Sequence, residues 1–201
     1  MKMPKDILEK INDTELWDCF RRGDEGALEQ LMKMHFRKLF HYGTKFSKDG
    51  AFVKDCIQDL FLDLWNRRQF LSEVQTVKAY LMAALRRRLH RGMTKKGYFV
   101  TEEITSDVFF EVEFSVEDSL IQEETTQLLA HEIKNYLDQL PKRQKEVIYL
   151  RFFEGLTREE IAEIMGINLQ SVSNLLQSAF KHLKENWKTE LFLFVLLSII
   201  H

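Results

Sequence analysis

The sequence predicts an all-α protein: two helical domains joined by an acidic linker, the second built around a helix-turn-helix. Eight Gly and two Pro in 201 residues are too few for a sandwich or barrel, whose turns consume both. Apolar residues make up 45% and recur mainly at helical spacing. Charge tracks position as well. Residues 1–96 carry 20 Lys/Arg against 13 Asp/Glu, residues 97–127 none against nine, and residues 128–201 nine against nine. The overall −2 therefore hides a basic, an acidic and a balanced part, as in a chain with separate working units.

The same composition excludes several classes. Cys19 and Cys56 form no CxxC pair, so a disulfide scaffold and a zinc knuckle are set aside, and free thiols fit a reducing cytoplasm. His35, His41, His131 and His182 show no ligand spacing. No Gly-rich phosphate loop and no nucleophile–base grouping occurs, so neither cofactor, metal nor enzymatic activity is expected. Met1–Lys10 is polar with no apolar stretch after it, unlike a signal peptide. Leu191–Ile200 is the longest apolar run, at ten residues roughly half of the ~20 a membrane-spanning helix needs. A soluble, cytoplasmic protein is expected.

In chain order, Asp13-Thr14 offers a helix cap, and Leu16, Phe20, Ala27, Leu28, Leu31, Met32 and Phe36 recur at helical spacing, interrupted at Gly23. After a break at Ser47–Gly50, a helix over 51–68 carries the stripe Val53, Cys56, Ile57, Leu60, Phe61, Leu64 and Trp65. A third helix, 77–91, starts apolar and ends in Arg86-Arg87-Arg88-Leu89-His90-Arg91. Residues 10–96 form the first domain. The linker, 97–127, bears apolar hooks at Phe109, Phe110 and Phe114 among carboxylates. Helices resume near Ser119, Pro141 stops one and starts the next, and a helix over Gln144–Phe153 ends at Gly155.

Leu156–Leu183 has the marks of a helix-turn-helix. Thr157 and Glu160 make a capping box, Ala162 is small where two helices cross, Gly166 allows a tight turn and Val172 follows six residues later. The second helix buries Val172, Leu175, Leu176, Ala179 and Leu183 and presents Gln170, Ser171, Ser173, Asn174, Gln177, Ser178 and Lys181. The second domain spans 128–186, and an apolar tail 187–201.

Leu140–Ile148 followed by Leu156–Leu183 resembles the promoter −35-reading domain of bacterial sigma factors, a winged-helix-like region 4. Gly23–Leu28 and Asp55–Trp65 resemble the same family's core-binding domain. Two such domains in about 200 residues are similar to the extracytoplasmic-function (ECF) group. The resemblance implies a non-enzymatic factor that binds RNA polymerase core, through its clamp helices and flap, and directs it to promoter DNA. It also implies an anti-sigma factor as regulator. Two departures stand out: the recognition helix is rich in Ser and amides where the family usually has Arg or Lys, and the −10 segment offers an arginine run where an Asn is often found.

Asp55, Asp59 and Asp63, at i, i+4 and i+8, share a helix with Ile57, Gln58, Phe61, Leu62 and Trp65. Acids beside large apolar groups suit docking on a basic helical partner, and the family's core-binding helix falls here. Phe61 and Trp65 serve equally well as domain core. Arg86, Arg87, Arg88, Arg91, Lys95 and Lys96 are expected at phosphates around the −10 element, with Tyr80 and His90 as supports for an unpaired base, though Tyr80 serves equally well as core. Gln170, Ser171, Ser173, Asn174, Gln177 and Lys181 are expected in the −35 major groove, with Arg158 at the backbone and Lys142, Arg143 and Lys145 as further anchors. The linker either lies in a basic channel of the polymerase or is a solvated tether screening the basic domain. The tail either packs on the protein itself, folding onto the second domain or bridging both, or docks on a partner such as an anti-sigma factor, or touches a membrane without stable insertion. A stand-alone helix-turn-helix transcriptional regulator and a two-domain adaptor that binds no DNA are the competing readings.

Overall fold

The computed structural model describes residues 11–94, 110–112 and 134–186, with side chains to residue 182. Lys95, Lys96, most of the linker, the helix start near Ser119, Leu183 as a side chain and the tail lie outside the described residues. Among those described, every regular element is helical. The chain divides near residue 104 into two compact units, the turn residues Glu163–Gly166 excepted.

In the first unit α1 spans Asp13–Arg21, α2 Glu25–Gly43, α3 Gly50–Arg67 and α4 Val77–Met93, with a 3-10 turn at Arg68–Phe70. Three helices begin on side-chain caps. Asn12 Oδ1 accepts the Glu15 amide at 2.9 Å, Asp24 that of Ala27 at 3.1 Å and Asp49 that of Phe52 at 3.0 Å. Each satisfies a donor that the first turn would otherwise leave open. The α1 cap is thus Asn12, not the expected Asp13-Thr14 pair, because Asn12 holds the extended backbone a cap requires and Asp13 is already helical.

α4 packs on the other three helices. Its stripe of Val77, Ala79, Met82, Leu85 and Leu89 is buried against a core that includes Trp17 and Phe20 of α1, Tyr42 of α2 and Ile57 and Leu64 of α3. Each large side chain buried this fully stabilises the unit by about 1.5–3 kcal/mol. Gly43 allows the closest approach: a Cβ there would sit 2.5 Å from Val53 Cγ1, well inside contact distance. Polar ties fix the segment before α4, where Trp17 Nε1 donates to Ser72 O at 3.1 Å and Arg21 Nε to Leu71 O at 2.7 Å.

His35 is buried in this unit with Nε2 3.1 Å from Asp13 Oδ2. Burial pulls its pKa below the ordinary value, with Lys38 and Lys78 acting the same way and Asp13 opposing them.

In the second unit a helical stretch at 134–139 leads to Pro141, which precedes α5, Lys142–Ile148. The single helix expected over Gln144–Phe153 changes form half-way: Tyr149–Phe153 is a π turn, closed by the Glu154 amide on Tyr149 O at 3.1 Å. Burial raises the Tyr149 phenol far above its ordinary pKa, and its hydroxyl donates to Glu154 Oε1 at 2.9 Å. α6, Arg158–Met165, and α7, Leu169–Asn186, follow, and α7 packs on α5.

The linker contributes to this unit. Phe110 and Val112 are buried, the Phe110 ring lies 5.7 Å from that of Tyr149, and Glu111 faces Lys142 at 3.7 Å. Phe110, expected as an apolar hook of the linker, is therefore seated on the second unit itself; alternation leaves Glu111 outside. Phe109 and Phe114 lie outside the described residues.

Two outcomes follow. Phe110→Ala costs the second unit about 3 kcal/mol, read as faster amide exchange in α5 and α7 with α1–α4 still protected. A buried histidine with a lowered pKa stabilises above its unfolded pKa and loses that contribution as pH falls through the folded one. Stability of the first unit therefore declines below about pH 6.5, and His35→Gln flattens that decline in thermal melts.

Candidate polymerase and promoter interfaces

α3 sorts its residues by the helical period. Val53, Cys56, Ile57, Leu60, Phe61 and Leu64 fall on the buried stripe, and Asp55, Gln58, Asp59, Leu62 and Asp63 on the exposed face. Ile57 and Phe61, expected at a partner, are core residues here, because they lie on the side of α3 that meets α2 and α4. Trp65 is half-buried. Its ring lies 6.3 Å from that of Phe20 and carries the Arg68 guanidinium 4.2 Å above it. The exposed face thus consists of three carboxylates, an amide and Leu62, which is 59% exposed.

α4 sorts its basic end in the same way. Arg87 and Arg91 are exposed, and Arg88 is half-buried. Arg86 and His90 are buried, which removes both from the expected DNA-facing run. Ala79, Met82, Ala83, Arg86, Leu89, His90 and Met93 all lie on the buried side, so a three-and-four spacing, legible in the sequence, carries these two inward. His90 meets the Phe46 ring edge-on at 5.6 Å. Tyr80 is half-buried with its ring 5.2 Å from that of Trp17, a packing role in place of an open base platform.

The two faces touch each other. Arg88 Nη1 lies 3.4 Å from Asp59 Oδ2, and Arg88 Nη2 bonds Asp63 Oδ2. Sequence gave no signal for this bridge, since its partners stand 29 and 25 residues apart. Exposed ion pairs of this kind contribute about 0–1 kcal/mol, so they are readily exchanged for others.

In the helix-turn-helix, the Thr157 amide donates to Glu160 Oε2 at 2.7 Å and the Glu160 amide to Thr157 Oγ1 at 3.2 Å, the expected capping box. The turn closes when the Gly166 amide bonds Glu163 O and the Ile167 amide bonds Ala162 O, with Gly166 at φ +64°. This double closure requires a left-handed residue, hence glycine. Asn168, absent from the sequence-based expectations, caps α7 by accepting the Ser171 amide at 2.7 Å. An Asn three residues before Ser171 and just after the turn glycine was the available signal.

On α7, Gln170, Asn174, Gln177 and Lys181 are exposed, as is Arg158 on α6. Gln170 Nε2 donates to Asn174 Oδ1 at 2.9 Å, so the two amides hold each other in place. Ser171 and Ser173 are half-buried, and the Ser173 hydroxyl donates to Leu169 O. Ser178, expected outward, accepts from Gln144 Nε2 at 3.1 Å, and Leu175 and Leu176 are half-buried where full burial was expected.

Comparison with known proteins agrees with this geometry. Residues 31–98 match Sigma-70 region 2, and residues 130–183 match Sigma-70, region 4. The chain belongs to the sigma-70 family. It is an RNA polymerase sigma factor of the ECF type, which binds core polymerase and directs promoter-specific initiation. The region 2 match sets aside the stand-alone regulator and the DNA-free adaptor. The sigma-H factor of Pseudomonas aeruginosa is 27% identical over 175 residues, 79% of this chain and 85% of that protein. The protein named bacteriocin UviA, from Clostridium perfringens, is 28% identical over 180 residues, 83% of this chain and 94% of that protein. Among solved structures, the sigma factor RpoE of Bartonella quintana, bound to the anti-sigma factor NepR, has a TM-score of 0.53 at 22% identity. It covers 78% of this chain and 94% of its own. The likeness supports the two-unit helical fold.

Removing the Asn168 cap isolates the geometry of the recognition helix. Asn168→Ala costs about 1 kcal/mol, seen as a lower melting temperature for the second unit, and Asn168→Asp restores most of it.

Proposed function

We propose that this sigma factor meets core polymerase through the exposed face of α3 and reads promoters with α4 and α7. The observation that carries the reading is the separation on α3 of exposed Asp55, Gln58, Asp59, Leu62 and Asp63 from a buried apolar stripe. A helix with carboxylates around one exposed aliphatic group fits a basic helical partner, here the polymerase clamp helices. Arg87, Arg88 and Arg91 serve the −10 DNA backbone, and Lys95 and Lys96 continue that run in the sequence. Gln170, Asn174 and Gln177 read −35 base edges, Lys181 and Arg158 sit at phosphates, and the second unit meets the polymerase flap.

The domain plan proposed from the sequence, 10–96, 97–127, 128–186 and 187–201, is kept with one change: residues 110–112 belong with the second unit. The protein works in the cytoplasm, where the polymerase is, and has no catalysis of its own. An anti-sigma factor is the proposed regulator, supported by the solved structure of RpoE, described in complex with the anti-sigma factor NepR. Among the described residues no helix is long and apolar enough to cross a membrane.

Run-off transcription with purified core on a promoter library tests the reading as a whole. Charge reversal Asp63→Lys lowers core capture about tenfold, equal to ~1.4 kcal/mol, with the circular dichroism spectrum retained. Asn174→Ala relaxes preference at one −35 position by about 1–3 kcal/mol, the range for a bidentate amide–adenine contact. Undiminished capture or an unaltered −35 preference overturns the corresponding assignment.

A further inference from the structure

One guanidinium serves both proposed interfaces. Arg88 lies on α4, among the cations assigned to the −10 backbone, yet both its terminal nitrogens face carboxylates of α3, the helix assigned to core polymerase. We propose that Arg88 couples the two binding events. In the free protein Asp59 and Asp63 hold it away from DNA, and cations of core polymerase, by pairing with those carboxylates, release it to a promoter phosphate. The inference rests on the assignment of α3 to core and α4 to DNA.

The electrostatics favour exchange over a fixed structural link. Arg88, Asp59 and Asp63 together carry a net −1, which repels a phosphate while the cluster stands alone. The Asp59 and Asp63 side chains are 64% and 51% exposed, against 21% for Arg88. An incoming cation thus reaches the outer carboxylate oxygens without first breaking the bridge. Once those charges are matched from outside, the guanidinium is the surplus charge of the cluster and the site attracts an anion.

Arg87 and Arg91, exposed on the same helix, are not held by this cluster; Arg91 Nε donates to Arg87 O instead. They keep a basal, sequence-independent attraction for DNA, to which Arg88 adds one contact when released. Because binding free energies are reciprocal, DNA that captures Arg88 also opens the carboxylates, and so tightens the hold on core by the same factor.

The test is a mutant cycle read by fluorescence anisotropy on a labelled promoter fragment, with the full-length free protein titrated at several salt concentrations. Asp59→Asn with Asp63→Asn keeps side-chain shape and removes the charges that hold Arg88. Expected is a severalfold gain in DNA affinity and a salt slope steeper by about 0.9, one additional phosphate. Combining these changes with Arg88→Ala abolishes both effects. Glu15→Gln with Glu29→Gln removes the same charge from exposed positions on α1 and α2 and leaves the slope as it was. The coupling is overturned if affinity does not rise, if the gain survives Arg88→Ala, or if the Glu15/Glu29 pair reproduces the steeper slope. Capture of core polymerase by the Asp59→Asn, Asp63→Asn protein is measured alongside. Undiminished capture overturns the α3 assignment and the coupling with it, whereas weakened capture with no gain in DNA affinity overturns the coupling alone.

Discussion

The burial of α4 along nearly its whole length governs the first unit. Ten of its residues are buried, from Val77 to Met93, and it packs on α1, α2 and α3 alike. A helix held on that many sides has one permissible rotation about its axis, and this rotation decides which arginine faces water. Arg86 and His90 go inward with the apolar stripe, while Arg87, Arg88 and Arg91 point elsewhere. The set of cations that the unit shows to solvent is therefore a by-product of core packing, and α3 obeys the same rule through Ile57 and Phe61.

The second unit depends more on local closures than on a large core. A capping box starts α6, a left-handed glycine ends it, and an asparagine starts α7 only two residues later. With both helix ends satisfied inside the turn, the angle between α6 and α7 is set by backbone hydrogen bonds. Few cations stand on the exposed face of α7. The grip of such a module on DNA comes chiefly from being tethered to the rest of a polymerase complex.

Helix existence, the breaks at Gly23, Gly155 and Gly166, and the capping box were legible in the sequence because each is a local pattern with a local cause. So was the family, from motifs in the right order. Three features of the structure were less legible. Arg86 and His90 go with their neighbours by charge, but the three-and-four spacing places them on the apolar side. Phe110 and Val112 fall in a stretch that reads as a linker, because two apolar positions among carboxylates do not show which residues they pack against. The bridge from Arg88 to Asp59 and Asp63 could not be read at all, since it depends on how α3 crosses α4. Local periodicity reports faces, while contacts between faces need the fold.

The crossing at Gly43 constrains how this sequence can change over time. A methyl group at position 43 meets Val53 Cγ1 at 2.5 Å, with Leu85 and Leu89 side chains only 3.7 Å away. Residues in such contact do not contribute independently. Any residue larger than glycine at 43 becomes tolerable only after position 53 has shrunk, and the reverse order passes through a clashing intermediate. The two sites must therefore drift in sequence, the second waiting on the first. A glycine held invariant there among homologues reports a steric history inside the core.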